Sequence, residues 1–343
     1  LKKHYTRKWD LTTAPSICQH CSVGCNIIAG ERYGELRSIT SRYNGAVNGY
    51  FLCDRGRFGY EFANATDRIR KPLLNREEAD KEKILTELSQ LLANSNVIGI
   101  GSPRASVQSN FALKTLVGDD NFYHGVSENE YDLTNLIIKI LNEGPAQTPS
   151  LKEVEMADAV FVLGEDLTNT APMLALAVRQ SARQQPLQEL SKVNIPDWND
   201  AAARELLQDK KGPVFVAAVH KTKLDDIAAQ TFHASPDEIA CLGFAVAHIL
   251  DNRVHDPENL TQAVKDLAQQ IARALSNAKR PVVISGTSCG SDQVVKAAAD
   301  IAWALHAKND KSGIVFTLPE CNSMGLAAMK GNRLESAIEA VRN

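Results

Sequence analysis

The chain is poor in the features that mark specialised protein classes. Only 6% of its 343 residues are aromatic, and its longest apolar runs, such as "CLGFAVAHIL", reach ten residues. That is half of the roughly 20 needed to cross a bilayer as a helix. No initiator Met opens it, and its start, "LKKHYTRKWDLTTAPS", has no apolar core of the secretory kind. Charge of one sign is not in excess: 38 Lys and Arg stand against 41 Asp and Glu, a net charge of −3. This excludes the electrostatic footprint of a nucleic-acid or anionic-membrane binder. Neither G-x-S-x-G nor H-E-x-x-H occurs. Seven cysteines are too few and too uneven for a disulfide scaffold. These absences predict a cytoplasmic protein with no direct membrane insertion and no nucleic-acid partner. Without a Met, and stopping in the polar "EAVRN", the sequence also reads as a piece of something longer.

What is present is a globular composition, 44% hydrophobic and 23% charged, with length for about two domains. Residues 1–70 are rich in Gly, Arg, Tyr and Asn, with short β-like pieces "NIIA", "ELRSITS" and "GYFLC" between turn signals. So little apolar material makes a poor core and calls for a staple. From residue 71 the pattern changes to helices of ten or more residues alternating with short apolar strands. The strands include "NVIGIGS", "DAVFVLGED", "GPVFVAAVH", "RPVVISG" and "GIVFTL". This alternation predicts parallel sheet covered on both faces. The segment 185–212 is less regular and reads as a surface connection.

Four cysteines fall in the first 53 residues, as C-x2-C-x3-C-x27-C: Cys18, Cys21, Cys25 and Cys53. Cysteine-only ligation suits both zinc and iron–sulfur clusters. Zinc sites most often draw two pairs from two knuckles. Three bunched thiolates with a fourth from a distant strand end fit the separated corners of a [4Fe–4S] cube better; zinc and metal-free thiols stay open as alternatives. Gly24, Gly56 and Gly59 leave room for backbone N–H groups near inorganic sulfur, and Arg55 could set positive charge beside it. His20 is a poor ligand, since Cys21 already supplies that corner.

These residues carry a resemblance. "CQHCSVGCN" followed by "FLCDRGRFGYEF" resembles the iron–sulfur domain of the molybdopterin oxidoreductase superfamily, which includes formate dehydrogenases and nitrate reductases. Within it, "RKWDLTTAPSICQHCSVGCNI", "ERYGEL", "IGIGSPRASVQSNFAL" and "APMLALAVRQ" are similar to the large iron–sulfur subunits of bacterial respiratory complex I. The resemblance implies one [4Fe–4S] cluster on Cys18, Cys21, Cys25 and Cys53, for electron transfer or structural support. It implies the other subunits of the complex I peripheral arm as partners, on the cytoplasmic side of the bacterial inner membrane. The chain is similar to the middle of such a subunit, and by itself should neither oxidise NADH nor reduce quinone.

The fold implied is α/β: a small β-rich iron–sulfur domain at 1–70, then Rossmann-like parallel-sheet layers of the molybdopterin oxidoreductase (formate dehydrogenase/DMSO reductase domains 1–3) type. One layer takes 71–125 plus 312–343, truncated, and 126–311 is a Rossmann-like insertion. No molybdopterin is expected. "DNFYHGVSENEYD" offers no cysteine, with Ser127 the nearest candidate for a metal ligand, and "AAVHKTKLDDIA" keeps Lys221 and Thr222 but has Val219-His220 where the pterin-binding acid would be. The rival readings are a fragment of a molybdenum or tungsten bis-pterin oxidoreductase and a zinc-stapled scaffold.

The remaining candidates read mostly as structure. Glu165 and Asp166 end a strand as a carboxylate pair, and Thr168, Asn169 and Thr170 read as cap residues. "SGTSCGSD" is a strand-to-helix turn capped by Ser291 or Asp292, and "GIGSPRAS" opens a helix near Ser102 and Pro103. Cys241 and His248 read as core of one helix. Cys289 and Cys321 read as passive thiols, and His220 and His233 have no acid at a recognisable spacing.

Overall fold

The computed structural model describes residues 6–196 and 198–342; positions 1–5 of the expected first domain lie outside them. Strands β1 (Thr12–Ile17), β2 (Asn26–Arg32) and β3 (Glu35–Ser41) form an antiparallel sheet in that order. The β2–β3 hairpin turns through Tyr33 and Gly34, both at positive φ, as a two-residue turn of right-handed twist requires. All six residues of β1 are exposed, so no hydrophobic alternation announces it. The expected strand "GYFLC" does not form. Residues 44–49 close a small loop with an Asn44–Gly49 bridge, and the chain then enters α1 (Asp54–Phe58) and α2 (Glu61–Asn64).

A short hairpin, β4 (Leu73–Leu74) and β5 (Glu77–Glu78), leads into α3 (Lys81–Asn94). Helix α3 has the spacing expected of it but buries no residue, and Leu85, Leu88 and Leu91 are exposed. "NVIGIGS" contributes only β6 (Gly99–Ile100), which after α4 (Val107–Val117) pairs in parallel with β7 (Phe122–Tyr123). Asn332 bridges to Tyr123 from the far end of the chain.

Beyond α5 (Glu128–Glu143) and α6 (Leu151–Glu155) comes β8 (Ala159–Leu163), followed by α7 (Leu167–Thr170) and α8 (Pro172–Ser181). The segment expected to be a surface connection instead holds α9 (Gln184–Lys192) and α10 (Asp200–Leu207). Pro186 stands in the first turn of α9, where proline is tolerated, so it does not break the helix. Strands β9 (Val214–Ala218) and β10 (Gln230–His233), helices α11 (Pro236–Leu250) and α12 (Gln262–Asn277), β11 (Pro281–Gly286), α13 (Asp292–His306) and β12 (Gly313–Thr317) complete the main body. Helices α14 (Ser323–Ala328) and α15 (Leu334–Arg342) return to the β6–β7 pair.

The main sheet runs β10-β9-β8-β11-β12, every pair parallel. Because β12 is its fifth strand, this sheet extends past the boundary expected at 311. Alternation along β8 explains the two-faced core. Phe161 and Leu163 face α5, α11, α12 and α13, while Val160 and Val162 face α6, α7 and α8. Strands buried on both faces read as unbroken apolar runs, which is why these elements were visible in the sequence.

Where α11 crosses β8 and α13, a Cβ on Gly243 would stand 2.8 Å from the Ala297 Cβ and 2.9 Å from a Leu163 methyl. Gly243→Ala should therefore overpack the core and cost about 1–3 kcal/mol. Urea unfolding followed by circular dichroism checks this, and an unchanged midpoint would refute the tight crossing.

Candidate metal centre

The β1–β2 ladder positions three of the four thiols. Its last pair is Ile17 with Asn26, and one more bond, from the Cys18 N–H to the Cys25 carbonyl at 2.8 Å, closes an eight-residue loop. Cys18 and Cys25 are the ends of that loop and Cys21 lies inside it. The three are 5%, 3% and 6% exposed respectively. Contrary to expectation, Cys53 does not come from a strand end. It is the N-cap of α1, and its sulfur accepts the Gly56 N–H at 3.3 Å. A helix N-terminus presents unpaired N–H groups, so it favours a thiolate there.

Burial pushes the Cys18 and Cys21 thiols up, and Cys25 up to about 12, with the other three cysteine sulfurs adding to the Cys25 shift. The sulfurs therefore face one another. Arg55, exposed on α1, hydrogen-bonds Cys21 and opposes the rise, which is the charge expected of it. Gly56 permits the approach of α1: a Cβ there would press 2.9 Å onto Leu52 and 3.3 Å onto the Cys18 sulfur. Gly24, at φ +67°, turns the loop. Ile27, Ile39, Leu52, Tyr60 and Met173 wall the group with Cys18 and Cys25. None of the four is in a disulfide. Among the described residues no three His, Cys, Asp or Glu side chains close on a point that would hold a single metal ion. His20 stacks edge-on to Phe62 at 6.0 Å and lies beside Gly59; burial lowers its pKa, as do Arg55 and Arg104.

The loop is seated on the α/β body. Ser22 Oγ accepts the Leu318 N–H at 3.2 Å, and Ala46 accepts the Leu151 N–H at 3.0 Å.

The other candidates separate in the structure. The expected carboxylate pair splits: Asp166 caps α7, accepting the Thr168 N–H and the Asn169 amide, while Glu165 is 1% exposed. The Glu165 carboxylate takes the Ser288 N–H at 2.9 Å and the Ser288 hydroxyl at 2.6 Å. It thus lies between the ends of β8 and β11, against Gly286, where an added Cβ would collide with it. Burial holds its pKa up despite these donors. Ser127 is occupied as the cap of α5. Ser106, not Ser102, caps α4, and Arg104 forms a two-pronged pair with Glu320. Ser291 stands at the N-cap of α13 without a side-chain bond, and Asp292 pairs with Lys296.

His248 bonds the Val254 carbonyl at 2.7 Å, beside a half-buried Cys241. Cys289 donates to the Gly164 carbonyl at 3.2 Å, and Cys321 faces the Pro103 carbonyl at 3.7 Å. Lys221 is exposed, while Thr222 bonds Asp225. His233 does have an acid, Asp225 at 2.9 Å, and His220 stands 3.7 Å from Asp166. Both partners arrive over loops, so spacing could not show them. Two residues escaped the sequence altogether. Asn48 makes its bonds across three segments, and His124 is wholly buried with no partner on either ring nitrogen, its pKa pushed down to about 4. The ready signal for Asn48 was the run of three asparagines at 26, 44 and 48.

Comparison with known proteins adds to this geometry. Residues 11–65 match the molybdopterin oxidoreductase Fe4S4 domain. Over nearly its whole length the chain is homologous to the large iron–sulfur (G) component of NADH-quinone oxidoreductase. With that of Pseudomonas fluorescens it shares 47% identity over 340 residues, 99% of this chain and 38% of the relative. With that of Escherichia coli strain K12 it shares 48% over 341 residues, 98% of this chain and 38% of the relative. The chain therefore spans 38% of the length of the curated relatives it matches. One chain of the formyltransferase/hydrolase complex of Methylorubrum extorquens overlays 71% of this chain and 59% of its own, at 14% identity and a TM-score of 0.46, too loose a likeness to carry an argument.

The Glu165 carboxyl gives a pH prediction. Its folded pKa is raised above the unfolded value, so the folded state binds its proton more tightly and stability falls as pH rises through the folded pKa. Glu165→Gln keeps the shape without the ionisation. Wild type should lose more stability than this variant between about pH 5 and pH 8, as read from thermal midpoints. Parallel pH profiles would refute the assignment.

Proposed function

We propose that this chain is the cluster-bearing part of the large iron–sulfur subunit of a bacterial NADH:quinone oxidoreductase. Its partners are then other subunits of the peripheral arm, on the cytoplasmic side of the membrane. Among the described residues no helix is long and apolar enough to cross that membrane. The observation that carries the proposal is the convergence of the Cys18, Cys21, Cys25 and Cys53 thiols, within the stretch that matches an Fe4S4 domain.

The donor set fits a [4Fe–4S] cluster. Four thiols face one another, yet they do not close to the size of a single-ion cage, where metal–sulfur distances of about 2.3 Å would draw them together. Bound there, the cluster would accept and release one electron. The chain's own part is to hold and tune. The cysteines supply the four corners, the Gly56 N–H steadies the Cys53 sulfur, and Arg55 brings positive charge to Cys21. Ile27, Ile39, Leu52 and Met173 exclude water, which bears on the potential. Whether the role is electron transfer or support, the chain alone has no catalytic residue in this reading.

The same reading includes no molybdopterin. The sheet order places a topological switch point between β8 and β11, where open α/β sheets take ligands. Here Glu165 fills that crevice with an anion of the protein's own, and Ser127 is spent on its helix. The division into a cluster domain at 1–70, an insertion from 126, and a second layer from 71–125 plus the carboxyl end belongs to this proposal.

Anaerobic purification, or reconstitution with iron and sulfide, tests it. Four irons and four sulfides per chain are expected, with an EPR signal on reduction and none of it in Cys53→Ala. One zinc without sulfide would favour the scaffold reading. Molybdenum or tungsten, or pterin fluorescence after denaturation, would favour the bis-pterin reading.

A further inference from the structure

The three-cysteine loop is fixed by its own strand ladder, but Cys53 is delivered by a segment with no strand partner. Something must hold residues 51–53 at the right place against Cys25. We infer that Asn48 is the positioning residue that joins the two halves of the cysteine site, an inference that rests on the cluster reading above. Its side chain is 2% exposed and reaches three segments at once. Oδ1 accepts the N–H of Asn26, the residue after Cys25, at 3.0 Å. Nδ2 faces the carbonyl of Phe51, two residues before Cys53, at 3.1 Å. The same nitrogen lies 3.1 Å from Ser41 Oγ, 3.3 Å from the Arg42 carbonyl and 3.4 Å from the Asn26 carbonyl, at the end of β3 and the start of β2.

Only an amide satisfies this surround. Three carbonyl oxygens crowd the nitrogen, so turning the group over would set oxygen against oxygen, and the orientation follows from the partners. An aspartate has the same shape but would place a carboxylate against those carbonyls in a buried site. An alanine would leave the Asn26 N–H and the Phe51 carbonyl without their shared partner. The loop that presents Asn48 is itself built for the task. The Asn44 carbonyl accepts the N–H groups of Val47, Asn48 and Gly49, and the Asn44 amide bonds Asn26 Oδ1 at 3.0 Å.

The small domain contains a matched control. Asn64 also clamps backbone with both ends of its amide, taking the Leu36 N–H at 2.9 Å and giving to the Leu36 carbonyl at 2.8 Å. Leu36 lies at the opposite end of the β2–β3 hairpin from Asn26 and Ser41. A general loss of domain stability would follow from either amide; a loss of cysteine geometry should follow only from Asn48.

The test compares Asn48→Asp, Asn48→Ala, Ser41→Ala and Asn64→Ala with wild type, all as the full chain. Both Asn48 variants should release iron to a chelator at least tenfold faster than wild type, and shift the EPR signal and midpoint potential of what remains. Ser41→Ala should fall between, and Asn64→Ala should match wild type in both readouts. A second measurement needs no iron: Cd²⁺ added to the metal-free chain, followed by its ultraviolet thiolate absorption. Its affinity should drop at least tenfold in Asn48→Asp and not in Asn64→Ala. Wild type without iron but with this cadmium pattern would sink the cluster reading and leave the positioning role standing. Equal losses for Asn48 and Asn64 variants, or wild-type release, EPR and cadmium affinity in Asn48→Asp, would overturn it.

Discussion

Four sulfurs must meet although one of them is separated from the rest by 27 residues of chain. Every unusual feature of the small domain answers to that constraint. The exposed strand β1 has little apolar reason to form, yet it zips the loop shut and fixes where its two end cysteines stand. Helix α1 is only five residues long, and its use is to present the Cys53 sulfur on an unpaired N–H. Buried thiols hold their protons, so the site in its metal-free state is a neutral, water-poor pocket. Metal binding there must displace those protons, and the Arg55 charge assists in that.

The larger body is a parallel sheet of the kind that takes ligands at its switch point, and it closes that point with its own side chain. The Glu165 carboxylate takes both donors of Ser288, in the turn where a phosphate would sit in a nucleotide-binding relative of this topology. An open α/β scaffold can thus be kept for its rigidity after its crevice has been filled. The fold is then a platform, and the chemistry lies in the small domain resting on it.

The sequence revealed most where burial is two-sided. β8, β9, β11 and β12 were legible as apolar runs, and α11, α12 and α13 as helical repeats, because hydrophobic period and structure coincide there. The four cysteines were legible because no other residue type repeats so tightly for a lesser reason. Other elements were hidden for physical causes. β1 has no buried face, Pro186 sits in a helix turn that tolerates it, and "GYFLC" has the composition of a strand but no partner to pair with. Asn48 and the Glu165–Ser288 contact join residues far apart in sequence, and nothing in their spacing encodes that meeting.

The stretch from Thr317 to Asn322 is short, yet three separate parts of the molecule are fastened to it. Thr317 ends the main sheet beside Glu165, Leu318 donates to Ser22 in the cysteine loop, and Glu320 grips Arg104 ahead of α4. Such a strip works as a common hinge pin. A proteolytic nick or a bulky insertion within these six positions would loosen the redox domain, the sheet edge and the flanking layer together, whereas the same injury in the loop from α10 to β9 would stay local.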